Sequence, residues 1–457
     1  MLFSSITFLY YFLPCVLAVY LLVPRQFKNL ILFLSSLVFY AWGEPKMVFL
    51  MMLTILVGYV LGILTEKHAK WKKFYLILAI LFCLGTLGYF KYANFFVENF
   101  SALLGISVPA LKIALPIGIS FYTFQILSYN IDVYWGNVRA QKNPLYLATY
   151  ITMFPQLIAG PIVRYTDVVA QLEHRTHSID KAAEGIRRFV LGLSKKILIA
   201  NGLGELCEIF RQSGEQSVLF YWMYAIAFAL HIYFDFSGYS DMAIGLGKIL
   251  GFDFMENFNY PYISKSITEF WRRWHISLGT WFRDYVYIPM GGSRVKTLRM
   301  FINIGVVWML TGFWHGAAWN FILWGIFFAV LLIIEKLFLL KHLEKAKILS
   351  HIYVVFLVVI SFVIFNATSM FELGRDLQGM FGMRSLPLVS SETLYYLKSY
   401  AAIYVIAILG ATPIPKKIVS KTKVVQVAEP FLLLLLMIVV TAYLVDGSFN
   451  PFLYFRF

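Results

Sequence analysis

Two histidines are placed where they could do chemistry. His275 lies in Phe270–Phe282, which reads FWRRWHISLGTWF, and His315 lies in the apolar run TGFWHGAAWNFILWG, Thr311–Gly325. An imidazole titrates near neutral pH, so it can take a proton from a hydroxyl and later return it, the work of a general base. A histidine in an apolar run is more commonly a hydrogen-bonded core residue. Trp314 and Gly316 flank His315, however, so an aromatic wall and close backbone access share one turn. A third polar group occupies HIYFDFSGYSDMAIGLG, with His231, Asp235, Ser237, Tyr239 and Asp241 between two apolar runs. Polar groups at membrane depth are costly and each calls for a partner or a task. Asp235, Ser237 and Asp241, with Trp314, are candidates to line a tunnel. The competing reading makes them helix-end groups, Ser240 or Asp241 serving as a cap. His174 and His177 lack a third ligand at useful spacing, and no metal site is expected.

The elements that position these groups follow from composition. Hydrophobic residues make up 60% of the 457, aromatics 18% and charged residues 14%, and the mean hydropathy is +0.73. A soluble chain is usually nearer 25% charged, and apolar runs long enough to cross a hydrocarbon layer recur here. This is a multi-pass membrane protein with a single integral-membrane domain, 1–457. The net charge of +15 belongs to loops near anionic lipid headgroups, with no role in nucleic-acid binding. Cys15, Cys83 and Cys207 are scattered and imply no disulfide framework. The opening apolar stretch lacks a basic leader region and a small-residue cleavage site, and reads as a retained span.

Candidate spans are Ile6–Val23, Leu30–Ala41, Met47–Leu64, Phe74–Phe90, Ile113–Tyr129, Leu145–Val163 and Ile186–Ala200, then Phe220–Phe236, Phe301–Phe313, Trp319–Leu340, Ile352–Phe365, Tyr395–Gly410 and Phe431–Val445. Several are too short to cross alone, so about eleven crossings with one or two re-entrant segments are expected. Lys and Arg alternate between loops so as to place both termini outside, with the Arg25–Lys28 loop inside. His315 opens a span that ends near Lys336, which sets it toward the outer half.

Tyr260–Gly292 predicts an interfacial helix. Ile267, Trp271, Trp274, Leu278, Trp281 and Tyr285 fall in one stripe, with Arg272 and Arg283 beside it and Arg273 nearly opposite. Such a helix lies along a membrane surface with its guanidinium groups among headgroups. His275 then sits on the seam, meeting both water and buried chain.

Taken together, YxDFSGYSDMAIG, NFNYPY, FWRRWHISLGTWFRDYVYIPMGG and TGFWHGAAWNFILWG, with FPQLIAGPIVRY at Phe154–Tyr165 and the ending NPFLYFRF, resemble the membrane-bound O-acyltransferases. The similarity spans nearly the whole chain and is greatest to the bacterial branch that O-acetylates alginate and other polysaccharides. The resemblance implies an all-α helical bundle of that type, with re-entrant and interfacial helices beside the crossings. It implies catalytic histidines at His315 and His275, and a relay from a cytoplasmic acyl thioester, acetyl-CoA by expectation, to an acceptor outside. His315 is then the base that serves hydroxyl attack on the thioester. Arg272, Arg273, Trp271 and Trp274 shape the donor mouth, since guanidinium forks match phosphate oxygens. No bound cofactor is implied. Expected partners are membrane lipids, a polysaccharide acceptor, an extracytoplasmic acyl-transfer protein and, as alternative donor, an acyl-carrier protein. The location is the bacterial cytoplasmic (inner) membrane. In the segment Asn450–Phe457, aromatics either anchor at the interface or Tyr454 carries the acyl group, as a tyrosine does in the small membrane subunit of teichoic-acid D-alanylation. Two other functions compete: D-alanyl transfer to teichoic acids from a carrier protein, and transport. Transporters commonly show related halves, and no internal symmetry is seen here.

Overall fold

Backbone in an apolar phase must satisfy its own hydrogen bonds, and the apolar runs of this chain do so as helices. The computed structural model describes residues 1–447, 449–451 and 453, the side chains of residues 423, 425 and 426 apart. Every regular element among the described residues is helical. Eight helices are long and apolar enough to cross a membrane: Met47–Lys67, Ala69–Leu104, Val218–Ile249, Thr297–His315, Trp319–Leu343, Leu349–Asn366, Ser391–Gly410 and Val427–Val445. Thr7–Leu22 is a shorter apolar helix.

Other candidate spans are made of shorter pieces. The run expected at Leu145–Val163 is a helix at Pro144–Thr152, a single turn at Phe154–Leu157 and irregular chain up to Arg164. Pro155 and Pro161 account for the breaks, because proline lacks the N–H that an interior helical position must donate. The helix expected from Ile113 begins at Ile119, after Gly118 in a left-handed conformation.

The chain folds as two compact units, each assembled from separate stretches. Met1–Phe189 and Ser240–Met255 form the first, Val190–Tyr239 and Glu256–Phe457 the second. In the first unit the Ile119–Trp135 helix is buried along almost its whole length, packed on Met47–Lys67 and on Lys72–Leu87. Asp241 belongs to this unit. Arg188 donates to it from Nε and Nη2, at 3.0 and 2.9 Å.

In the second unit the Val218–Tyr239 part of the long helix is almost wholly buried. Thr297–His315 and Trp319–Ile334 form a tight hairpin. Its closeness depends on two glycines. A Cβ at Gly312 would sit 2.2 Å from the Phe321 carbonyl oxygen, and one at Gly325 would sit 2.4 Å from that of Trp308. Small residues at such crossings let membrane helices approach backbone to backbone. Many large apolar side chains of Ser391–Gly410 and Val427–Val445 are exposed, Ile406, Leu434 and Ile438 among them, as lipid-facing helices require.

Candidate functional site

The predicted surface helix is two short helices with a sharp break. Ile267–Arg273 starts at Ser266, whose hydroxyl accepts the Glu269 N–H at 3.0 Å. Its remaining free donors meet a buried carboxylate. Glu335 accepts from the Ile267 N–H at 2.6 Å, the Thr268 N–H at 2.9 Å and the Thr268 hydroxyl at 2.7 Å. A negative charge at a helix N-terminus is favourable, all the more so out of water. The helix ends at Trp274, and His275 adopts φ 45°, ψ 53° before Ile276–Phe282 begins. That left-handed conformation is uncommon for a residue with a Cβ, and surrounding structure has to impose it.

Asn257 imposes it. Its backbone oxygen accepts from the Ile276 N–H at 3.0 Å, and its side-chain oxygen accepts from the Ser277 N–H at 3.2 Å and the Ser277 hydroxyl at 2.9 Å. The same oxygen lies 3.2 Å from His275 Nδ1. An atom that already accepts from two donors is an acceptor to the ring as well, so Nδ1 carries the hydrogen and Nε2 is the basic nitrogen.

The break corrects the expected exposure of His275. Its surface is 2% exposed, enclosed instead of lying on a wet seam, because the turn swings it inward. Its ring packs edge-on to Phe236, centroids 4.6 Å apart, and lies 5.9 Å from that of Trp314. The apolar stripe packs on protein as well. Trp271 meets Trp308, Trp324 and Phe328 at 4.6, 5.4 and 4.9 Å, and Trp274 stacks on Phe270 at 5.5 Å.

His315 is the last residue of its helix and is 7% exposed. Trp314, Trp324 and Phe365 stand nearly perpendicular to its ring, with centroids at 5.0, 5.2 and 5.2 Å. It lines a narrow cavity, whose wall also includes Asp235, Phe236, Trp274 and Leu453. Aromatic side chains thus make up most of the lining, and among the described residues Asp235 is its acidic group.

The structure therefore brings His315, Asp235 and Trp274 to one cavity, with Trp314 and Trp324 packed on the histidine. His275 reaches that cavity through Phe236 and Trp314. Ser237 is buried but is not part of the lining. Asp241 belongs to the other unit, where it pairs with Arg188. Arg272 is exposed. Arg273 is engaged by Glu269 at 2.8 Å and by the Asn259 carbonyl at 3.1 Å. Tyr454 lies outside the described residues. Sequence reasoning passed over Lys196, which pairs with Asp235 at 2.6 Å. It also passed over Asn257, the first residue of NFNYPY. A lysine within an apolar run was a usable signal for the first, and nothing local marked the second.

Residues 137–373 match the model of the MBOAT, or membrane-bound O-acyltransferase, family. The chain is also 39% identical to a protein named probable alginate O-acetylase AlgI from Azotobacter vinelandii, over all of both chains. The chain belongs to this family. A peptidoglycan O-acetyltransferase of Helicobacter pylori is 33% identical over 85% of this chain and 81% of its own. A teichoic acid D-alanyltransferase of Bacillus subtilis is 32% identical over 47% of this chain and 58% of its own. An O-acyltransferase joins an acyl carbon to a hydroxyl oxygen, which requires a proton acceptor where the two meet. A ring nitrogen in a cavity walled by aromatic side chains can supply one while keeping bulk water from the reacting carbonyl.

Burial holds the His275 imidazole far below its ordinary range, down to about 3. Unfolded, the ring titrates near 6.5, so below that pH the unfolded chain binds the extra proton. Stability carried by this site is complete above about pH 6.5 and is lost as pH falls toward 3. In His275→Gln this loss disappears. Unfolding in detergent at a series of pH values should show the native protein losing up to ~1.4 kcal/mol per pH unit more than the variant within that window. Parallel curves would mean that the ring accepts a proton in the folded protein.

Proposed function

We propose that this multi-pass membrane enzyme transfers an acetyl group from a cytoplasmic thioester, acetyl-CoA, to hydroxyls of a polysaccharide outside the bacterial cytoplasmic membrane. The observation that carries the reading is His315, at the end of a membrane helix, lining a narrow cavity that Asp235 also lines. In this reading His315 takes the proton as the acceptor oxygen attacks the thioester carbonyl. The new C–O bond forms, the C–S bond breaks, and the departing thiolate recovers a proton. Likeness over the whole chain to a protein named for O-acetylation of alginate, and over 85% of it to one named for that of peptidoglycan, favours acetyl over D-alanyl, since the D-alanyltransferase match covers about half of the chain. An extracytoplasmic partner that delivers the acetyl group to the polymer completes the route, and an acyl-carrier protein is the alternative donor.

His315→Ala should lower acetyl transfer from radiolabelled acetyl-CoA by roughly 10²-fold or more, the usual contribution of a general base, with expression and membrane insertion intact. Transfer near the native rate in the purified variant would remove His315 from the base role.

Arg272 is assigned to the donor mouth together with Arg273, and it is the cleaner probe because Arg273 also holds Glu269 and Asn259. Arg272→Gln should raise the apparent KM for acetyl-CoA severalfold with little change in kcat, as expected when one guanidinium–phosphate contact is lost. An unchanged KM would place the donor elsewhere.

Tyr454 directly follows Leu453, which lines the cavity of His315. We assign its phenol as an acyl carrier. His315 takes the phenolic proton, the phenolate oxygen attacks the thioester carbonyl, and the C–S bond breaks with that proton passing to the thiolate. The ester then gives its acetyl group to a partner's hydroxyl, whose proton returns to the released phenolate. A phenol with a pKa near 10 needs such a base to become a nucleophile. Tyr454→Phe keeps the aromatic surface and should abolish polymer acetylation in cells. Full acetylation in that variant would leave the segment as an interfacial anchor.

A further inference from the structure

Lys196 and Asp235 form an ion pair at 2.6 Å, with side chains only 1% and 2% exposed. Such a pair is weak evidence for stability, because well-packed apolar residues usually serve the fold as well or better. Its other bonds suggest a different task. Lys196 Nζ donates to the Pro451 carbonyl oxygen and, at 2.9 Å, to Asn201 Oδ1. Asn201 donates in turn to Asn450 Oδ1 at 3.2 Å. Asp235 Oδ2 accepts the Leu453 N–H at 3.1 Å. Three residues of the core thus bind Asn450, Pro451 and Leu453, more than 200 positions away in the chain. The segment turns toward them after the Lys423–Val445 helix, with Gly447 at φ +69°. Leu453 ends up 5% exposed, in the wall of the cavity that holds His315.

A lipid-facing helix followed by a short peptide would gain little by burying peptide polar groups, unless the site it enters satisfies them. Here both charges of the pair are turned to that use. The lysine answers a carbonyl and the carboxylate answers an N–H, so the peptide's backbone is bound whatever its side chains are. Lys196 lies in a π-helical turn, Lys195–Ala200. Such turns displace side chains from the regular helical register and recur at functional sites.

We propose that Lys196, Asp235 and Asn201 form a latch that docks Asn450, Pro451 and Leu453 on the His315 cavity. They act as positioning residues for acyl transfer, with Leu453 closing the cavity wall. This rests on transfer occurring at His315. Release of the latch opens the cavity wall at Leu453.

The test places Leu453→Cys in a chain whose own cysteines are removed (Cys15→Ser, Cys83→Ala, Cys207→Ala) and follows its reaction with a maleimide in detergent. With the latch intact, labelling should be slow. Lys196→Met combined with Asp235→Leu replaces the pair by an apolar one and removes its bonds to the segment. Labelling at position 453 should then be roughly tenfold faster or more, and acetyl transfer lower by a similar factor, since a hydrogen bond to a charged group is worth at least that much. Yield and detergent melting should be unchanged. Asn201→Ala, which leaves the pair in place, should move both readouts in the same direction by less, and it serves as the test if the double variant fails to fold. Unchanged labelling would overturn the latch, and so would faster labelling with full transfer. Labelling involves no chemistry at His315, so full transfer by His315→Ala with slow labelling would sink the transfer reading and leave the docking intact.

Discussion

A carboxylate deep in an apolar protein has to be answered by the protein itself, and much of the second unit is arranged around how Asp235 is answered. It is 1% exposed, and Lys196 meets it directly at 2.6 Å. The pair fixes the Lys195–Ala200 turn against the Val218–Ile249 helix. It also leaves hydrogen-bonding capacity on both partners, which Pro451 and Leu453 take up. One electrostatic requirement thereby determines where two distant parts of the chain meet and which residue completes the His315 cavity.

Much of this was legible in the residues, and the exceptions have physical causes. Long apolar runs identify membrane helices without tertiary information, because the requirement they meet is set by the solvent. His315 and Asp235 stood out for a related reason, as ionisable groups where such groups are costly. What a linear reading misses is pairing at a distance. Asp235 and Asp241 look equivalent six residues apart in one polar run, yet they belong to different units and bind different partners, Lys196 and Arg188. The helical stripe from Ile267 to Tyr285 was a sound projection of an unbroken helix. Periodicity cannot reveal that Asn257 forces His275 left-handed, since the bonds that do so come from 18 to 20 positions earlier in the chain.

The two histidines are held by contrasting means. His275 is fixed through hydrogen bonds, so its backbone, tautomer and neutral charge state follow from Asn257 and from burial. His315 is oriented largely by shape. Trp314, Trp324 and Phe365 surround the ring, and the Gly312–Gly325 approach sets the hairpin that carries it.

Trp314 links the two. Its ring lies 5.9 Å from that of His275 and 5.0 Å from that of His315, and Phe236 touches His275 on one side while lining the cavity on the other. The left-handed turn at His275 is thus mechanically upstream of the cavity. If Asn257 did not hold the turn, Phe236 and Trp314 would lose the surface they pack on, and the wall beside His315 would relax with them. Close-packed aromatic interiors transmit such changes because they have little free volume to absorb them. Loss of His275 would therefore be felt as a change in the shape around His315, although His275 itself is not in the cavity lining.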